Sequence, residues 1–344
     1  MRGIALNARF RVHKVTGMQR YALEVSRRLA DILESVDPPG GMRGPAGHAW
    51  EQLYLPMAVR GRLLWSPNNT GPLTVGHQVC TVHDLIPLEH PEWFSAQFSA
   101  WYRYLLPRLT RRAAHLIAVS EYTKQRLQEL LSIPENRITV IPNGVDPAFR
   151  PATPERVDLA RTALGVGPGP YLLCVGSVEP RKNIGRLLEA WRLAQSRLAE
   201  DVTLVVAGGT GASRVFSEVL LGELPGRVRF TGYVPDEHLA ALYTGASAFI
   251  YPSLYEGFGI PPLEAMACGV PVITSNNTSL PEVTGGAAML VDPREPAAMA
   301  EAVVALLRDE PLRRELTAKG LARAAAYSWE SVASDTRKLL EGHA

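Results

Sequence analysis

An α/β chain carrying two doubly wound, Rossmann-like parallel sheets is the fold that this sequence predicts, and three observations carry the prediction. Short apolar runs bounded by turn residues alternate with stretches of helical period, the pattern of a parallel sheet covered by helices. At Asn143-Gly144-Val145-Asp146-Pro147, followed by Phe149-Arg150-Pro151, turn residues and extended pre-proline chain interrupt that pattern, which then begins afresh. The 344 residues suffice for two domains of ordinary size, and 46% of them are hydrophobic, enough for a core in each. The expected division is a first domain over 1–145, a linker over 146–151, a second domain over 152–327 and a terminal helix over 328–344. That last helix either stays with the second domain or crosses back to the first.

In order, Arg2–Leu6 reads as a strand, and Thr16-Gly17 opens a helix with Tyr21, Val25, Leu29 and Ile32-Leu33 at helical spacing. Residues 36–49, with three prolines and four glycines, read as a loop. Leu63–Trp65 and Gln78–Val82 read as strands, the second ending at His83-Asp84. A long helix from Ser95 to Ala114 carries Trp101, Tyr104, Leu105 and Leu109 along one side, and also Arg103, Arg108, Arg111 and Arg112. A strand (Leu116–Val119), a helix opened by Ser120 and a strand (Ile138–Ile141) complete the first half. In the second half, strands are expected at Tyr171–Val175, Val202–Ala207, Val228–Thr231, Ala248–Tyr251, Val270–Thr274 and Ala288–Val291, and a last helix at Trp329–Leu340.

Ligands of open parallel sheets bind beyond the carboxyl ends of the strands. The turns that fall there are Gly176–Asn183, Gly208–Gly211, Gly232–Val234 and Glu256–Gly259, with Gly17 and His83 in the first half. None has the three spaced glycines of a dinucleotide fingerprint, and there is no P-loop. The stretch from Tyr251 to Glu264 concentrates the chemistry: a strand end, the turn Glu256-Gly257-Phe258-Gly259, then Ile260-Pro261-Pro262 leading into a helix over Leu263–Cys268. Prolines suit a first helical turn, whose N–H groups lack partners, and the free N–H groups with the helix dipole favour an anion. Two carboxylates, Glu256 before the helix and Glu264 in its first turn, can accept hydrogen bonds from hydroxyls, so a ligand with both phosphate and sugar fits. The plainer alternative is that Glu264 caps its own helix.

Arg181-Lys182-Asn183 opens another helix, and cations at that end oppose the helix dipole, so a bound diphosphate explains them better than mere exposure. His83 is either a hydrogen-bonded core residue or a group of the site. Cys80, Cys174 and Cys268 lie far apart in apolar stretches, without disulfide or zinc spacing. The eight histidines form no ligand cluster, and there is no Asp-x-Asp pair to hold a metal on a diphosphate. A net charge of +2 does not suggest nucleic acid. It is unevenly spread: residues 1–150 hold 18 Lys+Arg against 12 Asp+Glu, leaving 18 of the 36 cations against 22 of the 34 anions for the rest. The basic half faces either anionic lipid, a phosphorylated substrate or simply water. No apolar run spans a bilayer and the start is too short for a signal peptide, so a cytoplasmic chain is expected.

Taken together, these segments resemble the retaining glycosyltransferases of the GT4 family, whose GT-B fold sets two Rossmann-like domains facing an interdomain cleft. The resemblance covers nearly the whole chain. Its most specific element is the paired-glutamate motif, Glu256 and Glu264 with seven residues between. Gly176…Arg181-Lys182-Asn183, Ile141-Pro142-Asn143-Gly144-Val145-Asp146, Glu264-Ala265-Met266-Ala267-Cys268-Gly269-Val270-Pro271-Val272 and His83-Asp84 support it in the same order.

The resemblance implies a nucleotide-sugar donor on the second domain and an acceptor on the first. Glu264 would hold the ribose and the backbone around Gly232, Tyr233 and Val234 the base. Arg181 and Lys182 would neutralise the diphosphate, helped by N–H groups near Gly17. Glu256, with the backbone of Phe258, Gly259 and Ile260, would hold the donor sugar, which His83 would approach from the first domain. Two departures stand out: Met18-Gln19 replaces a second glycine of the N-terminal loop, and Ser177 stands where many members place an arginine, a role Arg181 is expected to take. Retention would proceed on one face through an oxocarbenium-like state, without a metal, Glu256 positioning rather than attacking.

Asn7-Ala8-Arg9, Thr16-Gly17 and His83-Asp84-Leu85-Ile86-Pro87-Leu88 look most like bacterial mannosyltransferases of surface polysaccharides. GDP-mannose is therefore the favoured donor and a saccharide or polyprenol-diphosphate-linked acceptor the favoured partner, with no cofactor. A UDP-sugar-dependent glucosyl- or N-acetylglucosaminyltransferase, a nucleotide-sugar epimerase and a silent sugar-nucleotide binding protein are the alternatives. Such carriers stay in the membrane, so contact with its anionic inner face is expected through Trp93, Phe94, Phe98, Trp101, Tyr102 and the neighbouring arginines. Core packing of these aromatics is the rival reading.

Overall fold

The computed structural model describes residues 3–199, 201–209 and 224–344. Of the expectations above, Arg2 and Thr210-Gly211 lie outside the described residues. Two compact units divide the chain: Met1–Gly144 with Tyr327–Ala344, and Val145–Ala326.

The first unit is built on β1 (Ile4–Asn7), β2 (Leu33–Val36), β3 (Leu64–Ser66), β4 (Gln78–Val82), β5 (His115–Ala118) and β6 (Ile138–Val140). Their order is β2-β1-β3-β4-β5-β6, and every pairing is parallel. The chain leaves β1 toward one edge and returns to its other side, so the winding reverses between β1 and β3. The helix Gly17–Arg28 buries Tyr21, Ala22 and Val25. The C-terminal helix Trp329–Glu341 packs against it, with the Trp329 and Tyr21 rings edge to face at 6.1 Å. Ser328 starts that helix by accepting the N–H of Ser331 at 3.1 Å, the bond that sets a helix start. Arg28–Glu330 at 2.7 Å and Arg337–Asp31 at 2.6 Å flank the contact.

Two sequence expectations fail in this unit. The first helix stops at Arg28, and Ile32-Leu33 does not continue it; Leu33–Val36 is an edge strand registered on Ile4–Asn7. Backbone pairing with β1 here overrides a helical spacing that two residues satisfied by coincidence. Residues 36–49 are not all loop either, for Gly44–Leu53 is a helix. Pro45 sits in its first turn, where a missing N–H costs nothing, so the proline density marks a helix start.

The second unit carries β7 (Tyr171–Val175), β8 (Thr203–Ala207), β9 (Val228–Gly232), β10 (Ala248–Tyr251), β11 (Val272–Ser275) and β12 (Ala288–Val291). They run parallel in the order β12-β11-β10-β7-β8-β9, and the winding reverses between β7 and β10. The helices Ile184–Gln195 and Pro296–Arg308 cover one face, burying Leu187, Trp191, Met299, Val303 and Leu306 in one cluster. At β8 the chain turns through Gly208 (φ 150°), where a Cβ would stand 2.0 Å from the Gly176 carbonyl oxygen. Only glycine lets the turns after β7 and β8 approach so closely. All the strands expected from the sequence are present, four with the expected bounds and the rest with ends shifted by a residue or two, and β2 is added.

Candidate functional site

The winding reverses between β7 and β10, and the carboxyl ends of the strands at such a reversal are the usual ligand position in a doubly wound sheet. Each strand delivers charge to it. After β7 the chain makes a short 3-10 turn, Pro180–Lys182, and Asn183 adopts a left-handed conformation (φ 60°) before the helix Ile184–Gln195 begins. Arg181 and Lys182 therefore stand in a separate turn ahead of the helix rather than in its first turn. Asn183 Nδ2 ties that turn down, donating to the carbonyls of Pro252 (3.1 Å) and Pro293 (2.6 Å). The Leu254 N–H donates to the Arg181 carbonyl at 2.7 Å, and Ser253 Oγ lies 3.0 Å from the same carbonyl.

The turn after β10 brings Glu256 onto both cations. Its Oε1 accepts from Lys182 Nζ (2.7 Å), Arg181 Nη1 (2.9 Å), Ser253 Oγ (2.7 Å) and Tyr251 Oη (2.8 Å). Arg181 Nη1 also reaches Oε2 at 3.0 Å, and Lys182 Nζ donates to Tyr251 Oη. Burial raises the Glu256 pKa, but Lys182 and Arg181 outweigh it and bring it to about 2. Burial, then Arg181, pulls the Lys182 pKa down against the opposing pull of Glu256. Burial and Glu256 drive the Tyr251 phenol well above its ordinary range, so it stays a neutral donor. Ser279 Oγ lies between the Glu256 and Phe258 carbonyls, at 3.0 and 2.8 Å, and its one O–H holds the turn's backbone there.

The sequence does not single out Tyr251 and Glu179, which complete this network. Glu179 Oε2 accepts from Arg181 Nε at 2.9 Å and its Oε1 from Ser177 Oγ at 2.6 Å. Two cations and two carboxylates thus form a neutral group. Glu179 is two residues from Arg181 across a proline, and nothing in residue type alone separates it from a solvated surface glutamate. Tyr251 reads simply as the last apolar residue of a buried strand.

Glu264 requires a correction. The helix begins at Ile260, so Glu264 is its fifth residue and not part of the first turn, which holds no acid. Pro261 and Pro262 occupy that turn, as their missing N–H groups allow. Glu264 is thus too far along to cap its own helix; it is buried and accepts from Tyr243 Oη at 3.0 Å. Gly259 precedes the helix at φ 99°, and a Cβ there would lie 2.6 Å from Leu280 Cδ2, so both conformation and space demand glycine. Phe258 is buried beside it, and Ile260 is half-buried. Gly232 ends β9, followed by the exposed Tyr233 (62%) and the buried Val234.

His83 and Gly17 belong to the first unit. His83 follows β4, is buried, and has its pKa pushed down by burial to about 4. Its Nε2 lies 2.9 Å from the Pro67 carbonyl. A carbonyl only accepts, so Nε2 carries the proton and Nδ1 presents a lone pair. Tyr21 packs edge-on against the imidazole at 4.9 Å. Gly17 is the first residue of its helix, after Thr16.

A further group in this unit went unread in the sequence. Glu51, fully buried, accepts from Asn7 Nδ2 (2.7 Å), Thr70 Oγ1 (2.9 Å) and Arg9 Nη1 (3.3 Å). It joins the carboxyl ends of β1 and β3, and only its place in the unexpected helix Gly44–Leu53 reveals it. On the helix Ala96–Arg112, Leu105 and Leu109 are buried as expected, whereas Tyr104 is exposed (47%). Phe94, Phe98 and Tyr102 stack along it at 5.0 and 4.3 Å.

Comparison with known proteins places these features in a family. The profile described as Glycosyl transferases group 1 matches residues 161–323, and that described as Glycosyltransferase Family 4 matches residues 71–149. The chain is similar to O-antigen chain mannosyltransferase B of Escherichia coli, with 35% identity over 84% of this chain and 76% of the relative. It is also 34% identical to the serotype-specific mannosyltransferase WbdA of Escherichia coli over 74% of this chain, a match that spans only 32% of that relative. Among solved structures, Anabaena HepE in complex with UDP and glucose superposes with a TM-score of 0.78 at 19% identity, covering 99% of this chain and 100% of the other. The two six-stranded parallel sheets are those of the GT-B fold.

Proposed function

The chain belongs to the group 1, family 4 glycosyltransferases, and from that premise we propose that it transfers mannose from GDP-mannose, with retention, to a saccharide acceptor in surface polysaccharide assembly. The observation that carries this reading is the pairing of Arg181 and Lys182 with Glu256 at the reversal of the second sheet. Similarity to two bacterial mannosyltransferases supports mannose. In this reading the diphosphate of the donor takes up Arg181 and Lys182, whose fixed charges offset the negative charge that grows as the glycosidic bond breaks. Such preorganised contacts supply leaving-group stabilisation without a metal. Glu264 accepts from the ribose hydroxyls while Tyr243 holds its other oxygen. The backbone at Gly232–Val234 meets the base, and that of Phe258–Ile260, with Glu256, the sugar. His83 offers its Nδ1 lone pair to a sugar hydroxyl, and the N–H groups at Gly17 aid the phosphate. An acceptor on polyprenol diphosphate would keep the enzyme at the inner membrane face, where the stack Phe94-Phe98-Tyr102 and Arg103, Arg108, Arg111 and Arg112 make the contact.

The test is a thermal-shift series with GDP, UDP, ADP and their sugars, followed by assay of nucleotide release with and without EDTA. GDP and GDP-mannose should stabilise most, and turnover should survive the chelator. A response to UDP-glucose or UDP-N-acetylglucosamine alone would replace the donor assignment, and a strict metal requirement would refute the fixed-cation mechanism.

A further inference from the structure

Both cations of the turn after β7 are already matched by carboxylates. Glu256 engages Arg181 Nη1 and Lys182 Nζ, and Glu179 engages Arg181 Nε. The two carboxylates differ in kind. Glu256 is buried and held by four donors on one oxygen. Glu179 has a side chain 42% exposed and is held through Arg181 Nε and the Ser177 hydroxyl. It stands on the link between β7 and the cation turn, after Ser177 and Val178 and before Pro180. A diphosphate reaching Arg181 would find Glu256 an immovable part of the site and Glu179 a movable anion beside it.

We infer that Glu179 is a counter-ion built into the diphosphate site, one that holds Arg181 when the site is empty and disfavours the spent nucleotide over the intact donor. This inference rests on the nucleotide-sugar reading above. The reasoning is electrostatic. A nucleotide sugar has both phosphates esterified and carries two negative charges. The nucleoside diphosphate released by transfer ends in an unesterified terminal phosphate, which ionises a second time near pH 6 and so carries about one charge more at pH 7. A carboxylate near that terminus opposes the additional charge. At roughly 8 Å and the intermediate dielectric of a half-exposed site, one such repulsion amounts to a factor of about three to ten in affinity. Glu179 therefore favours release of product, and it acts as a specificity residue rather than a catalytic one.

Calorimetric titration of wild type, Glu179→Gln and Ser177→Ala with GDP, UDP and ADP, and with their sugars, tests this. Glu179→Gln should bind the preferred nucleoside diphosphate about three- to tenfold tighter and its sugar by a smaller factor. The gain should shrink in 0.5 M salt (about a 4 Å Debye length). Product inhibition in turnover should strengthen in the same proportion. Ser177→Ala, which releases one carboxylate oxygen, should shift affinity in the same direction and less. Unchanged or weaker product binding in Glu179→Gln, with wild-type binding intact, would overturn the inference and make Glu179 a mere support for Arg181. A gain equal for donor and product would also overturn it. A wild type that binds none of the nucleotides would instead overturn the nucleotide-sugar reading, and this inference with it.

Discussion

Removing the charge of Lys182 is the sharpest trial of the site. Lys182 Nζ donates to Glu256 at 2.7 Å and to Tyr251 Oη, and its stem runs past Gly176, whose added Cβ would lie 3.4 Å from Lys182 Cδ. Lys182→Met keeps that stem and deletes only the ammonium, while Lys182→Ala deletes both. Either variant converts a neutral group of two cations and two carboxylates into one with a net negative charge, at the place where, in the proposed reading, leaving-group charge grows. A unit charge about 4 Å away at an effective dielectric of 20 amounts to about 4 kcal/mol, and single preorganised donors in other enzymes are worth about 3–4 kcal/mol. Allowing a lower limit of about 2 kcal/mol, turnover should fall about 30- to 10³-fold. Arg181 still bonds both oxygens of Glu256, so the carboxylate keeps a charged partner and the variants should fold. The assay is nucleotide release at saturating donor, with a thermal melt as the control for folding. Folded variants whose kcat lies within about threefold of wild type would refute the electrostatic reasoning. A loss in Ala that is absent in Met would assign the effect to packing.

Other outcomes follow from the same geometry. Glu264→Gln should weaken free nucleoside diphosphate about tenfold, the value of a hydrogen bond to a charged group, whereas Glu256→Gln should not weaken it and should abolish most turnover; calorimetry with the nucleotide alone separates them, and equal losses would refute the division of roles. His83, with a pKa near 4 in the folded protein against 6.5 for an unburied imidazole, stays neutral while the unfolded chain takes up a proton. Its contribution is thus fully present above pH 6.5 and is lost as pH falls toward 4. Wild type should lose about 2 kcal/mol more stability than His83→Gln between pH 7 and pH 5 in urea unfolding, and parallel losses would refute the neutral buried state. The membrane contact predicts co-sedimentation with anionic vesicles that weakens with salt and in the Arg108/Arg111/Arg112→Ala triple variant; a wild type that ignores such vesicles at low salt refutes the contact alone.

What the sequence displayed, and what it hid, divides by the range of the interaction involved. Alternating strands and helices are local patterns, and so is the strand-turn-helix at Tyr251–Glu264, where glycines and prolines announce their conformations. The edge strand Leu33–Val36 is different, because it is a strand only through pairing with Ile4–Asn7. Glu51 is more distant still: its partners Asn7 and Arg9 lie 44 and 42 residues away. A fully buried glutamate has no signature until the helix that carries it has been placed. Within the site, Arg181, Lys182 and Glu256 were legible by residue type and position at strand ends, but their mutual neutralisation was not, since it depends on two loops meeting across the sheet reversal. The helix start at Ile260 rather than Leu263 moved Glu264 out of the capping position, a difference of three residues that decides what its carboxylate is free to do.

That neutralisation bears on how a glycosyl group can be passed with retention. A carboxylate that serves as a covalent carrier needs electron density to give and freedom to approach the anomeric carbon. Glu256 has little of either: its pKa of about 2 marks a weak base and a correspondingly weak nucleophile. Its Oε1 is engaged by two cations and two hydroxyls. Turning it toward a sugar would break those bonds and leave Lys182 buried without its carboxylate, which costs several kcal/mol for a buried pair. The same bonds make Glu256 well suited to a fixed role, aligning Arg181 and Lys182 and offering the outer face of Oε2 to a hydroxyl. Under the retaining nucleotide-sugar reading proposed above, this environment favours a transfer in which the leaving diphosphate, and not a protein carboxylate, guides the acceptor to the same face.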